Sequence, residues 1–349
     1  MDLAALAEPI VQAPLAGGAS TPQLAAAVST AGGLGFLAAG YKTADVVRED
    51  IIALRSLSDS PFGVNLFAPP SPAPQPAVIE AYAEELRGEA QRYGAGLGDP
   101  RHDDDEFAAK LELVREERVP IVSFTFGSPP PGVASQLHTA GSDVWVTVTN
   151  LDEALQAESD GADVLVVQGL EAGGHRAYFK DDPEPDDLGL LSALRLIARR
   201  VDLPLVAAGG IADGAAVAAV LCAGAIAAQV GTALMLSPEA GTSEPHRAAL
   251  ASSRSTRLTR AFTGRRARGI VNRFMRDHDI RAPIAYPDIH HLTSPIRAAA
   301  RRSDDPDGLN LWAGQTHSLA QPVPAAEIVR RLGREAREAA AALAQRLER

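Results

Sequence analysis

Eight short, largely apolar runs, punctuated by glycine and proline, recur along this 349-residue chain. They are 9–13, 34–38, 62–66, 121–124, 144–148, 164–167, 205–208 and 226–230. A strand with one wet face alternates apolar and polar residues. An uninterrupted run is what a parallel strand covered on both faces requires. Helical stretches lie between the runs. Segment 21–31 opens with Thr21-Pro22, a capping side chain followed by proline at the first helical position. Segment 150–159 opens with Asn150. Segment 213–223 opens with Asp213 and stops before Gly224, a C′ glycine. Strand–helix alternation implies a parallel sheet, and eight repeats favour a closed (β/α)8 TIM barrel over an open doubly wound sheet.

Two stretches exceed a minimal barrel. Residues 68–118 start proline-rich (Pro69, Pro70, Pro72, Pro74, Pro76) and read as an enlarged connection after the third strand. Residues 244–310 are arginine-rich and read as a small helical accessory domain. The expected organisation is a barrel over 1–243, an accessory region over 244–310, and a C-terminal motif with a closing helix over 311–349. In that helix Ile328, Val329, Leu332, Ala336, Ala339, Leu343 and Leu347 share one face.

Composition excludes several classes. Net charge is −11, which opposes binding to a phosphate backbone, and aromatics are only 5%. The single cysteine, Cys222, permits no intramolecular disulfide and reads as buried filler. Residues 214–238 carry no charge before Glu239, but they are Ala- and Gly-rich and split into a helix and a strand rather than one membrane span. The first eight residues hold Asp2 and Glu8 and no basic residue, unlike a secretory leader, so the expected compartment is the cytoplasm.

The candidate site lies at the strand ends. Gly209-Gly210 follows the seventh strand and Gly231-Thr232 the eighth, the two places where such barrels bind phosphate. Neither turn holds Lys or Arg, so backbone N–H groups and the Thr232 hydroxyl would hold the anion. The sixth strand runs into Gln168-Gly169-Leu170-Glu171-Ala172-Gly173-Gly174-His175-Arg176. Here Gln168 could address a heteroaromatic ring through both donor and acceptor. Gly173-Gly174 would admit a flat cofactor against the main chain. His175 would titrate near neutrality above the ring. Asn65 offers an inward amide. No metal is expected, because His138, His290 and His291 show no ligand spacing with His175.

These stretches, together with 13–35, 63–67, 122–127 and Leu311-Trp312-Ala313-Gly314-Gln315, resemble the nitronate monooxygenase family over roughly the whole chain. The resemblance implies a TIM barrel binding FMN, with Asn65, Gln168, Gly173, Gly210, Gln229, Gly231 and Thr232 as FMN contacts and His175 as the catalytic histidine. It places Trp312 and Gln315 near the flavin. The chain departs from the family at Leu15, where many members carry Met, at Ala177, where Gly is common, and at Thr125, where a second histidine is frequent. The implied reaction is FMN-dependent oxidation of alkyl nitronates, such as propionate 3-nitronate, by dioxygen, giving carbonyl compounds and nitrogen oxides. His175 would act as base or substrate partner. Partners would be a small-molecule substrate and dioxygen, without nucleic acid or membrane; a homodimer is left open.

Two rivals stand beside it. One is an FMN-dependent NAD(P)H reductase of quinones or enoyl-acyl carrier protein, in which Arg254, Arg257, Arg260, Arg265, Arg266 and Arg268 recognise a phosphate or an acidic carrier. The plainer reading of those arginines is a solvated helical face. The other rival is a non-catalytic flavin-binding protein.

Overall fold

The computed structural model describes residues 3–70 and 72–348; Asp2 lies outside them. The strands are β1 Ile10–Gln12, β2 Gly35–Ala38, β3 Phe62–Phe67, β4 Ile121–Thr125, β5 Asp143–Val148, β6 Val164–Gln168, β7 Gly174–His175, β8 Leu205–Ala208, β9 Ala227–Val230, β10 Thr256–Thr259 and β11 Ala267–Ile270. All eight apolar runs of the sequence form strands. They pair in parallel in the order β1-β9-β8-β6-β5-β4-β3-β2. A parallel bridge between Val11 and Leu34, just ahead of β2, closes the ring. The fold is a (β/α)8 TIM barrel.

Local chemistry sets the helix starts. The side chains of Thr21, Asn150 and Asp213 accept from the N–H of Leu24, Glu153 and Ala216, as the cap positions require. One face of each strand packs outward on the helices in a large aliphatic cluster. The other face forms a separate inner cluster that includes Phe36, Ile121, Trp145, Val166, Val206 and Ala227. Because side chains alternate along a strand, Thr125, Thr147, Gln168 and Gln229 share the inward parity of Ile121, Trp145, Val166 and Ala227. The barrel interior thus changes from apolar to polar at the C-terminal strand ends, where the cavity opens.

Several expectations change. The stretch 244–310 contains the helices Glu244–Leu250, Arg273–His278 and Asp288–Arg302, but also the antiparallel pair β10–β11, which is joined by β7 in a three-stranded sheet. The connection 68–118 is not separate from it. Tyr82, Leu86 and Ala90 of the helix Pro76–Arg92 pack with Phe262, Phe274, Ile289 and Leu292 in one core. Cys222 is exposed, because its helix buries only Gly214, Val217 and Val220. The closing helix Ala325–Leu347 buries Ile328, Val329, Leu332 and Ala336, whereas Leu343 and Leu347 run past the barrel and are 43% and 78% exposed. No helix among the described residues is long and apolar enough to cross a membrane.

Candidate active site

A cavity of about 270 Å³ opens above the strand ends. Asn65, Gln168, Gly173, His175, Gly210, Gln229, Gly231 and Thr232 all line it. At one end, β8 and β9 are neighbours with Ala208 opposite Gln229. The turns after them therefore lie side by side. The N–H groups of Gly210, Ile211, Gly231 and Thr232 donate to no other described residue. Bare buried amides are costly unless something accepts from them. Gly210 has φ +69°, a left-handed conformation that turns this cradle. Thr232 Oγ1 accepts from Gly314 N at 3.0 Å, which leaves its own hydrogen free to donate. The N-terminus of the helix Gly214–Cys222 contributes nothing to the cradle, since Asp213 caps it and Glu335 accepts from Gly214 N.

Further along, Asn65 is 3% exposed; its Nδ2 donates to Ser123 and Thr125, and its Oδ1 has no donor among the described residues. Gln229 is 8% exposed and its amide bonds to no described side chain or backbone. Gln168 differs from expectation. Its Oε1 already accepts from Arg176 Nη1 at 2.8 Å and Ala177 N at 3.0 Å, and its Nε2 donates to the His175 carbonyl at 3.0 Å. It shapes the histidine loop and keeps one N–H for a ligand. Gly173 also has a different reason to be glycine. A Cβ there would stand 2.5 Å from the backbone of Ala313 and Gly314, so the close approach is to the C-terminal motif.

His175 is not on a loose loop. It lies in β7, paired with Ala267 of β11. The arginine-rich segment holds it there. Arg265 and Arg268 are 6% and 5% exposed. Arg265 donates to the carbonyls of Arg176 and Tyr178, and Arg268 to that of Leu170. Arg266 pairs with Asp187 at 3.0 Å and Arg260 with Asp181 at 2.8 Å. The expected solvated helical face is therefore a hairpin strapped over the histidine loop, with only Arg254 and Arg257 exposed. Glu171, the acidic residue of the loop, accepts from Leu190 N and so anchors the next helix.

The His175 ring touches Phe126, Tyr286 and Trp312 at centroid distances of 5.7, 5.7 and 5.5 Å. Its Nε2 is 2.9 Å from Thr263 Oγ1, and that hydroxyl donates to the Arg265 carbonyl at 3.2 Å. With the hydroxyl hydrogen on that carbonyl, Oγ1 would accept from Nε2–H and Nδ1 would be the bare nitrogen. Burial, with the positive charges of Arg265 and Arg297, lowers the His175 pKa to about 3. The expectation of titration near neutrality is corrected: the ring is neutral at ordinary pH.

Five residues of this wall, Tyr41, Phe126, Tyr286, His290 and Arg297, were given no site role by the sequence reading. His290, on the helix Asp288–Arg302, lines the cavity and stacks on Tyr41 at 4.1 Å. Tyr286 donates to Tyr41 Oη at 3.2 Å. Arg297 lines the cavity beside them. Tyr41 and Phe126 both have positive φ, 66° and 77°, strain that concentrates at this wall. The one signal available was helical spacing: His290, Thr293 and Arg297 fall at i, i+3 and i+7. His290 thus brings an imidazole to the cavity from an element other than the one that carries Thr125. Trp312 lines the cavity, whereas the Gln315 side chain is exposed and only its N–H serves, donating to the Glu171 carbonyl.

The family model for nitronate monooxygenase matches residues 2–335. The chain belongs to the nitronate monooxygenase family. A nitronate monooxygenase of Paraburkholderia phytofirmans is 40% identical, over 99% of this chain and 96% of that protein. Among solved structures, a nitroalkane oxidase from Streptomyces ansochromogenes superposes with a TM-score of 0.95 at 51% identity, covering 98% of this chain and 99% of the other. FabK from Thermotoga maritima gives 0.78 at 27% identity, covering 99% and 97%. The protein is an oxidoreductase of this class, acting on nitroalkanes or nitronates, and the family implies a flavin cofactor. The bare amide cradle, the free Asn65 Oδ1 and the unpartnered Gln229 amide suit a flat, phosphorylated cofactor.

Proposed function

We propose that the protein uses FMN and dioxygen to oxidise alkyl nitronates, such as propionate 3-nitronate, to carbonyl compounds and nitrogen oxides. The observation that carries this reading is a neutral imidazole with one bare nitrogen, set in a cavity with unpartnered amides at its other end. FMN would be held by the N–H groups of Gly210, Gly231 and Thr232, with Asn65, Gln168, Gly173 and Gln229 along its length. When bound, it supplies the electron acceptor for the substrate carbon.

His175 governs the proton. A neighbouring anion favours the charged form of an imidazole and opposes the desolvation that keeps it neutral. A nitronate therefore enters together with a proton on Nδ1. A neutral nitroalkane reaches the same pair by giving its α-proton to that nitrogen. Thr263 fixes the ring so that Nδ1, not Nε2, meets the substrate. Replacing His175 by Ala should leave FMN bound and lower turnover by ~10²–10⁴-fold, the usual contribution of a positioned proton-transfer group. Unchanged turnover in a flavin-loaded variant would refute the assignment. The NAD(P)H reductase reading loses its proposed docking surface, because Arg260, Arg265, Arg266 and Arg268 are engaged within the fold.

A further inference from the structure

Outside the cavity lining, His317 has hydrogen-bond partners that fix its charge. It is 4% exposed. Its Nδ1 lies 2.9 Å from the Leu250 carbonyl and its Nε2 2.8 Å from the Arg254 carbonyl. A carbonyl oxygen only accepts, so both ring nitrogens must carry hydrogen, and the ring that does so is the imidazolium. A neutral ring would turn one lone pair on a carbonyl oxygen and leave a buried acceptor unpaired. Leu250 closes the helix Glu244–Leu250, where the last carbonyls have no partner within the helix and the dipole favours a cation. No backbone N–H among the described residues donates to either carbonyl.

The neighbouring charged groups are engaged elsewhere. The one carboxylate of that helix, Glu244, is mostly exposed and lies 3.9 Å from Arg247 Nε. Arg247 donates to the carbonyls of Met235, Leu236 and Ser237, and His246 directs its Nε2 to the Trp312 carbonyl. The Arg254 side chain is exposed. The short turn Thr232–Leu234, which packs against His317–Leu319, holds no titratable group.

The residues just ahead of His317 reach the amide cradle. The His317 N–H donates to the Gly314 carbonyl at 3.2 Å. Gly314 N donates to Thr232 Oγ1, Gln315 N to the Glu171 carbonyl and Ala313 N to the Arg268 carbonyl. Residues 313–317 therefore join the cradle, the histidine loop and the hairpin, and the His317 ring fastens them to the helix Glu244–Leu250.

We propose that His317 is a positioning residue that acts through its charge: the imidazolium pins residues 313–317, keeps Gly314 on the Thr232 hydroxyl, and so tightens the hold on FMN. Loss of the ring proton releases one carbonyl and slackens the cradle. The inference rests on the FMN-binding reading above. The test follows release of FMN from diluted holoenzyme by flavin fluorescence at about pH 6 and about pH 9, on either side of ordinary imidazole titration. His317→Gln is neutral at both and keeps one donor. It should release FMN about 3–10-fold faster than the wild type at pH 6, the worth of one hydrogen bond. At pH 9 the two rates should agree within about twofold. Comparing the two proteins at each pH cancels the titration of the FMN phosphate itself. An equal ratio at both pH values would mean a merely structural ring and overturn the proposal, as would equal rates at pH 6. Nuclear magnetic resonance of the wild type labelled with 15N-histidine gives an independent reading. One ring should show two slowly exchanging N–H protons at pH 6, assigned by their loss in His317→Gln. A wild type with no such ring overturns the proposal even if the variant fails to fold. If the purified protein takes up no FMN, the functional reading fails, and hydrogen exchange at Gly314 N–H judges the positioning role separately. Protection lower by about threefold or more in His317→Gln at pH 6 then supports it, and equal protection overturns it.

Discussion

The two ends of the cavity are built from different materials. The cradle at Gly210, Ile211, Gly231 and Thr232 is main chain, formed by two adjacent turns on neighbouring strands. The opposite wall is side chain, assembled from His175, Tyr41, Phe126, Tyr286, His290 and Arg297, which come from five separate segments. Backbone donors are independent of side-chain identity, so the cradle is robust to substitution except where a Cβ cannot fit. The side-chain wall can be rewritten residue by residue without touching the barrel. Cofactor binding and substrate choice should therefore be separable by mutation.

The largest separation is expected at Gly210. Valine there must adopt φ +69°, and its Cβ would stand 2.9 Å from the Cβ of Glu171. Such backbone strain costs about 1–3 kcal/mol, and the turn can relieve it only by rotating its amides out of the cradle. Gly210→Val should lose at least tenfold in flavin content per mole of purified protein, while far-ultraviolet circular dichroism stays that of the wild type. Full flavin occupancy in this variant would show that the cradle does not hold the cofactor's anion and would end the contrast drawn here.

What was legible in the sequence follows the same division. The eight strands announce themselves because a doubly covered strand must be apolar throughout, and the cradle because its glycines follow two of those strands directly. The side-chain wall is silent because its members meet only through the accessory layer. Arg265 and Arg268 look like solvent residues in a row of arginines, but their acceptors are the carbonyls of Arg176, Tyr178 and Leu170, some ninety residues away. Carbonyl acceptors leave no trace in side-chain identity. The hairpin β10–β11 was likewise invisible, since its third strand, β7, is only two residues long. Cys222 and Leu347 sit on apolar-looking faces, yet the neighbouring element covers only part of each helix.

A smaller effect is expected at Thr263, which touches only the substrate end. Removing its hydroxyl leaves the Nε2–H of His175 without its 2.9 Å acceptor and frees the ring to exchange tautomers. One neutral hydrogen bond is worth about 0.5–1.5 kcal/mol, or roughly three- to tenfold in turnover. Thr263→Val should show that loss with flavin content unchanged, and Thr263→Ser should restore activity. A Val variant with wild-type turnover and an unmoved pH profile would mean that the tautomer is set elsewhere.

The last effect concerns both ends together, through stability rather than turnover. Burial lowers the pKa of His175 to about 3 and that of His246, which lines the cavity near Trp312, to about 4; His290 is lowered as well. In the unfolded chain each would titrate near 6.5. Above that pH both states hold these rings neutral and nothing is gained or lost. Below it the unfolded state binds protons that the folded state refuses, so stability falls with pH. For His246 the loss runs from about pH 6.5 down to about 4, at no more than one proton's worth. Thermal unfolding between pH 7.5 and 4.5 should show a declining midpoint, and His246→Gln, which can still donate to the Trp312 carbonyl, should flatten that decline. An identical slope in the variant would mean that His246 charges freely in the folded protein, and that the cavity is wetter at its mouth than its apolar and amide lining implies.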